Sequence, residues 1–127
     1  MRLSDIHHIA IIVSDYEKAK EFYVDRLGFS VIRDTLRPER GDRKLDLRVS
    51  DTVELEIFVE PDPPPRVTRP EACGLRHLAF RVPDVETAVR ELREKGIESE
   101  PIRTDELTGG RMTFFFDPDG LPIEVHE

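Results

Sequence analysis

The stretches "IHHIAIIV" (6–13) and "LRHLAFRV" (75–82) are nearly the same strand written twice, with a histidine at the same place in each. An internal repeat constrains a fold more than any local propensity, because both copies must satisfy one architecture. With His8 set on His77, Ile6, Ile9 and Ile11 fall on Leu75, Leu78 and Phe80, and Ala10, Val13, Asp15, Glu17 and Ala19 fall on Ala79, Val82, Asp84, Glu86 and Ala88. One residue drops out inside the helix that follows. The offset then changes from 69 to 68, so that Gly28 meets Gly96 and Leu55-Glu56-Ile57 meets Ile123-Glu124-Val125. A histidine and a glutamate therefore both recur at matched positions.

Each copy has the same layout. An apolar strand (6–13, 75–82) is followed by Asp15 or Asp84, placed as a helix N-cap. Ala19, Phe22, Tyr23 and Leu27 in one copy, and Val85, Ala88, Val89 and Leu92 in the other, have the spacing of one buried helix face. Gly28 and Gly96 end the helices. Three strands follow, at 29–35, 44–50 and 52–60 in the first copy and at 97–103, 111–117 and 121–126 in the second. "SDT" (50–52) and "FDPDGLP" (116–122) turn the last two strands. The proline-rich stretch 61–74 reads as a stiff linker. The predicted fold is α+β: one domain, 1–127, of two tandem βαβββ modules (about 1–60 and 75–127), whose curved mixed sheets form a metal-centred cleft.

Strand alternation assigns the faces. Ile9, Ile11 and Val13, and likewise Leu55, Ile57, Ile123 and Val125, form the face that a helix covers. His8, Glu56, His77 and Glu124 lie on the other face. His7, beside His8, points toward the helix and reads as a core histidine. Two imidazoles and two carboxylates that converge in a cleft suit a divalent ion such as Zn, Ni, Co, Mn or Fe, because the carboxylates balance the charge and neutral imidazole adds none. Arg48, Phe58 and Arg81 share these open faces, and Phe114 and Phe116 join them if the offset of 68 holds. All five are candidate substrate-binding residues.

Composition excludes several classes. The 38% hydrophobic and 36% charged residues match a soluble globular chain, and a net charge of −8 disfavours nucleic acid as a partner. The basic concentration between Arg33 and Lys44 is interleaved with acids and reads as a solvated segment. No stretch approaches a membrane span, and the N-terminal apolar run reads as too short for a signal peptide. The single cysteine, Cys73, suits a reducing compartment, so the expected location is the cytoplasm.

The stretches "IHHIAIIVSDYEKAKEFYVDRLGF", "GLRHLAFRVPDVETAVRELREKG" and "FFFDPDGLPIEVHE" resemble the recurrent signatures of the vicinal oxygen chelate superfamily, which includes glyoxalase I, bleomycin-resistance proteins, epimerases and dioxygenases. The resemblance covers the whole chain and is nearest to small bacterial glyoxalase I-like proteins. It implies His8, Glu56, His77 and Glu124 as metal ligands, with Glu124 as the base that removes a proton while the metal stabilises an enediolate. The chain departs from glyoxalase I, or lactoylglutathione lyase, in having Ile12 where that enzyme has a glutathione-holding arginine. The expected activity is thus a metal-dependent glyoxalase-like lyase or isomerase acting on a small oxygen-chelating molecule. The alternatives are an acyl-CoA epimerase of the methylmalonyl-CoA type and a non-catalytic resistance-type binding protein. Exposed sheet edges and the family's habits together predict a homodimer.

Overall fold

The computed structural model describes all 127 residues. The chain forms two compact units, Met1–Pro64 and Pro65–Glu127. The expected α+β class and the tandem βαβββ order are both present.

The first unit runs β1 (His8–Val13), α1 (Tyr16–Lys20, continued as a π-helical turn over Glu21–Arg26), β2 (Ser30–Arg37), β3 (Asp42–Arg48) and β4 (Glu54–Val59). Its sheet has the order β1-β4-β3-β2, with β1 parallel to β4 and the other pairs antiparallel. The second unit runs β5 (Leu78–Arg81), α2 (Val85–Glu94), β6 (Arg103–Thr104), β7 (Arg111–Phe116) and β8 (Pro122–His126). Its sheet repeats the order as β5-β8-β7-β6, again with one parallel pair, β5 with β8.

The helices start where the aspartates are. Asp15 accepts a hydrogen bond from the Lys18 N–H at 3.0 Å and Asp84 one from the Thr87 N–H at 2.7 Å, which satisfies donors that the first turn leaves open. Gly28 ends the first helix at φ +83°, where a Cβ would be strained. The helical stretch 16–26 is one residue longer than 85–94. The extra residue is taken up in the π-turn, where the Leu27 N–H reaches back five residues to the Phe22 carbonyl at 2.9 Å. This is the physical form of the change in repeat offset.

Ile11, Val13, Leu45, Leu47, Leu55 and Ile57 form the covered face of the first sheet and are buried, as are Ala19, Phe22 and Tyr23 of the helix. In the second unit Phe115, Ile123, Val125, Val85, Leu92 and Ile97 are buried.

Two expectations need correction. The strand expected at 97–103 is only Arg103–Thr104. Pro101 has no N–H for a ladder, and the Glu100 carbonyl accepts instead from the Thr113 hydroxyl at 2.7 Å. His7 is exposed rather than in the core, with its Nδ1 2.9 Å from Nδ1 of His8. It precedes the first residue of β1, so strand alternation does not yet govern it. The basic stretch 33–44 is mostly exposed, as expected; it is the β2–β3 hairpin, and its interleaved acids pair with its bases, among them Asp34 with Arg43 and Asp42 with Arg37.

Candidate functional site

Each unit places one histidine against one glutamate on its open face. In the first unit Glu56 on β4 stands beside Ala10 of β1 in the parallel register, two residues beyond His8. This brings His8 Nε2 to 3.5 Å from Glu56 Oε2. In the second unit Glu124 on β8 stands beside Ala79 of β5 in the same way, and His77 Nε2 lies 2.9 Å from Glu124 Oε2. The parallel strand pair is what allows this: residues distant in sequence meet with their side chains on one side.

The surroundings of the two pairs differ. The Glu56 side chain is 14% exposed, and its Oε1 takes a hydrogen bond from Lys44 Nζ at 2.8 Å. That bond is the main cause holding the Lys44 ammonium above the usual lysine range. Lys44 also lies 3.3 Å from Asp46, which is buried and paired through its other oxygen with Arg33 Nε at 3.2 Å. No hydrogen-bond donor reaches Oδ1 of Asp46, so Lys44 balances that atom by charge alone. The Glu124 side chain is 8% exposed and has no lysine. His77 and, at 4.0 Å, His126 face it, and the Phe114 ring stands edge-on to His77 at 5.1 Å.

These donors fit a divalent ion in kind: an imidazole nitrogen and a carboxylate oxygen that already face one another, twice over. No group of three or more His, Cys, Asp or Glu side chains gathers in the structure to hold an ion. Each unit presents two such donors on its own open face.

The candidate substrate residues are dispersed. Arg48 is engaged by Glu54 at 3.0 Å, and Arg81 is exposed on β5. Phe58 is half-buried beneath Arg37 and Lys44, whose charged groups lie 5.2 and 5.4 Å from its ring. Phe114 and Phe116 share the face of Glu124 and line a cleft of about 410 Å³ with His77, Arg69, Arg76 and Arg103. The three arginines were missed by sequence reasoning, which treated the first as part of a spacer. The signal lay in "RPEACGLRH", where two arginines precede the second histidine. Arg66 donates to the Leu75 and Arg76 carbonyls at 3.0 and 2.6 Å, folding that stretch back on itself.

A fold of paired βαβββ units with a His–Glu pair on each open face is that of the glyoxalase class, and comparison with known proteins agrees. The chain belongs to the Glyoxalase/Bleomycin resistance protein/Dioxygenase superfamily, whose sequence model matches residues 5–125. It is 65% identical to the uncharacterised protein YwkD of Bacillus subtilis (strain 168), over 100% of this chain and 99% of that protein. It is 32% identical to the mitochondrial methylmalonyl-CoA epimerase of Bos taurus, over 98% of this chain and 75% of the epimerase. Among solved structures, a glyoxalase family protein from Enterococcus faecalis superposes with a TM-score of 0.95 at 54% identity and full coverage of both chains. The trypanothione-dependent glyoxalase I of Leishmania major superposes with a TM-score of 0.72 at 27% identity, covering 97% of this chain and 86% of that one. No helix is long and apolar enough to cross a membrane.

Proposed function

We propose that this chain is a divalent-metal-dependent lyase or isomerase of the glyoxalase kind, acting on a small substrate that presents two neighbouring oxygens. The observation that carries this reading is the repetition of one His–Glu pair at equivalent positions of both units, at 3.5 and 2.9 Å. His8, Glu56, His77 and Glu124 are the residues we assign to hold the ion, which is Zn, Ni, Co, Mn or Fe by its donor set. When bound, it supplies Lewis-acid stabilisation of negative charge developing on the substrate oxygens.

Glu124 is the base in this reading. A carboxylate that takes a proton from carbon must be held in place and shielded from bulk water. Glu124 meets both needs, with a side chain 8% exposed and His77 Nε2 2.9 Å from its Oε2. Glu56 is less suited, because Lys44 already occupies one of its oxygens. The Phe114 ring packed on His77 limits how that imidazole can turn.

Metal analysis of purified wild type, Glu56→Gln and Glu124→Gln tests the reading. Wild type takes up one divalent ion per site, and each variant binds it more weakly, since each loses a balancing charge. A wild-type protein that takes up no divalent ion after incubation and dialysis ends the metal-enzyme reading. A second reading, an acyl-CoA epimerase, is supported by the 32% identity to the bovine methylmalonyl-CoA epimerase. Turnover of methylglyoxal with a panel of thiols, set against methylmalonyl-CoA, separates the two. Metal uptake with no turnover of either would leave a ligand-binding protein. We also place the chain in the cytoplasm as a homodimer that binds neither nucleic acid nor membrane. Light scattering giving a mass near the 14.7 kDa of one chain would remove the dimer.

A further inference from the structure

The cleft of about 410 Å³ in the second unit is within the size range of small-molecule sites. Its lining is uneven in a way that selects a ligand. Two of its arginines are already satisfied: Arg76 lies 2.9 Å from Glu71 and Arg103 lies 3.3 Å from Glu100. Both partner glutamates also line the cleft. Arg69 lines it too, and no carboxylate lies within ion-pair distance of its guanidinium. The three arginines and two glutamates of the lining leave one formal positive charge. Beside it stands an apolar wall of Phe114, Phe116, Pro70 and Pro122.

We infer that this cleft takes a small organic monoanion: a carboxylate seated on Arg69, with a flat or apolar remainder against Phe114 and Phe116. The planar fork of arginine matches a carboxylate with two parallel hydrogen bonds. One uncompensated cation neutralises one negative charge, whereas a phosphate dianion would leave an unbalanced charge beside Glu71 and Glu100. His77 is in the same lining, and through it the cleft adjoins Glu124. The inference deepens the proposed function by naming its substrate class, and it rests on that reading for the role of His77 and Glu124 but not for the anion itself.

The test is calorimetric titration of the full chain with sodium benzoate, benzamide and phenyl phosphate, after dialysis against a chelator and again after loading with zinc. Benzoate should bind saturably, with benzamide at least tenfold weaker and phenyl phosphate no tighter than benzoate. Arg69→Met should weaken benzoate at least tenfold, and Arg69→Lys by less. Arg90→Gln, on the exposed side of α2, should change nothing. Arg69 is exposed and makes no ion pair, so its replacement leaves the fold intact, and circular dichroism checks this. Absence of saturable benzoate binding, equal binding of benzamide, tighter binding of phenyl phosphate, or indifference to Arg69→Met each overturns the proposal. Metal uptake is read separately on the same samples. Benzoate binding that follows Arg69 in a protein that takes up no metal would refute the metal reading alone. Metal uptake with benzoate indifferent to Arg69→Met would refute only the cleft assignment.

Discussion

The two units share one sheet topology, but their open faces differ in chemistry. Strand β3 offers Lys44, Asp46 and Arg48 to its open side, and the equivalent strand β7 offers Met112, Phe114 and Phe116 in the same register against the neighbouring strand. The covered faces hardly differ: Leu45, Leu47, Leu55 and Ile57 on one side answer Thr113, Phe115, Ile123 and Val125 on the other, all buried. Packing against a helix permits little variation, because any change in volume or polarity there is felt at once. The open face is under no such constraint. In the first unit it has become a network of ion pairs that restrains Glu56 from solution-like freedom. In the second it has become an aromatic wall, and neither Arg81 of that face nor Arg69 of the adjoining cleft is held in an ion pair. The comparison teaches that the repeated histidine and glutamate are the only chemistry the two open faces share, and that the features discriminating a ligand lie in the second.

The largest effect should come from the part the units have in common. Leu55→Ala and Ile123→Ala remove equivalent, fully buried side chains. Each should cost roughly 2–5 kcal/mol in denaturant unfolding. A cost under about 1 kcal/mol in either variant would show that the two cores are not packed alike. The helix caps come next. Asp15→Ala should cost about 1 kcal/mol. Asp84→Ala should lower the melting temperature further, because Asp84 also holds Arg111 at 2.8 Å, a bond that Asp15 lacks. Equal melting temperatures in the two variants would show that the Arg111 contact contributes nothing.

Lys44→Met gives the first unit the residue that the second carries at the equivalent position, Met112. It releases Glu56 from its ammonium, so under the proposed function divalent ions should bind several-fold tighter by calorimetry. Weaker binding would mean that Lys44 positions Glu56 rather than competing for it. The smallest effect is one of pH. Chiefly through its hydrogen bonds with Arg43, the Asp34 carboxyl is held below its ordinary value, and the equivalent position of the second unit is Ile102. A depressed carboxylate stabilises the fold above its unfolded pKa of about 4 and loses that contribution as pH falls through the folded value. The pair is partly exposed, so screening keeps the contribution below about 1 kcal/mol. Asp34→Asn should therefore be slightly less stable than wild type at pH 6, with the difference vanishing toward pH 2. A constant difference across that range would assign the effect to packing.

The repeat made most of the fold legible. Strand alternation placed His8, Glu56, His77 and Glu124 on open faces, and the two aspartates cap the two helices as their position required. What stayed hidden depends on contacts between segments distant in sequence. The shortness of β6 follows from a threonine hydroxyl that captures the Glu100 carbonyl. The burial of Asp46 follows from its seat between Arg33 and Lys44, which no local pattern announces. The stretch 61–74 looked like a spacer because its prolines disfavour regular structure, yet the fold of "RVTRPEACGLRH" is set by the Arg66 guanidinium, whose bonds run to carbonyls nine and ten residues away.

The π-turn at Glu21–Arg26 bears on how such a chain tolerates changes of length. A residue added to a strand reverses which side every later side chain faces, and would send His–Glu positions into the core. A residue added to a helix can be swallowed by one widened turn, after which the backbone resumes its course. The first unit carries its extra residue there, and Glu56 still stands opposite its strand partner as Glu124 does in the second unit. The helix thus works as an expansion joint. Insertions and deletions that would derange the sheet are absorbed on its far side, and a deletion within 21–26 should return that helix to ordinary four-residue spacing while His8 and Glu56 remain in register.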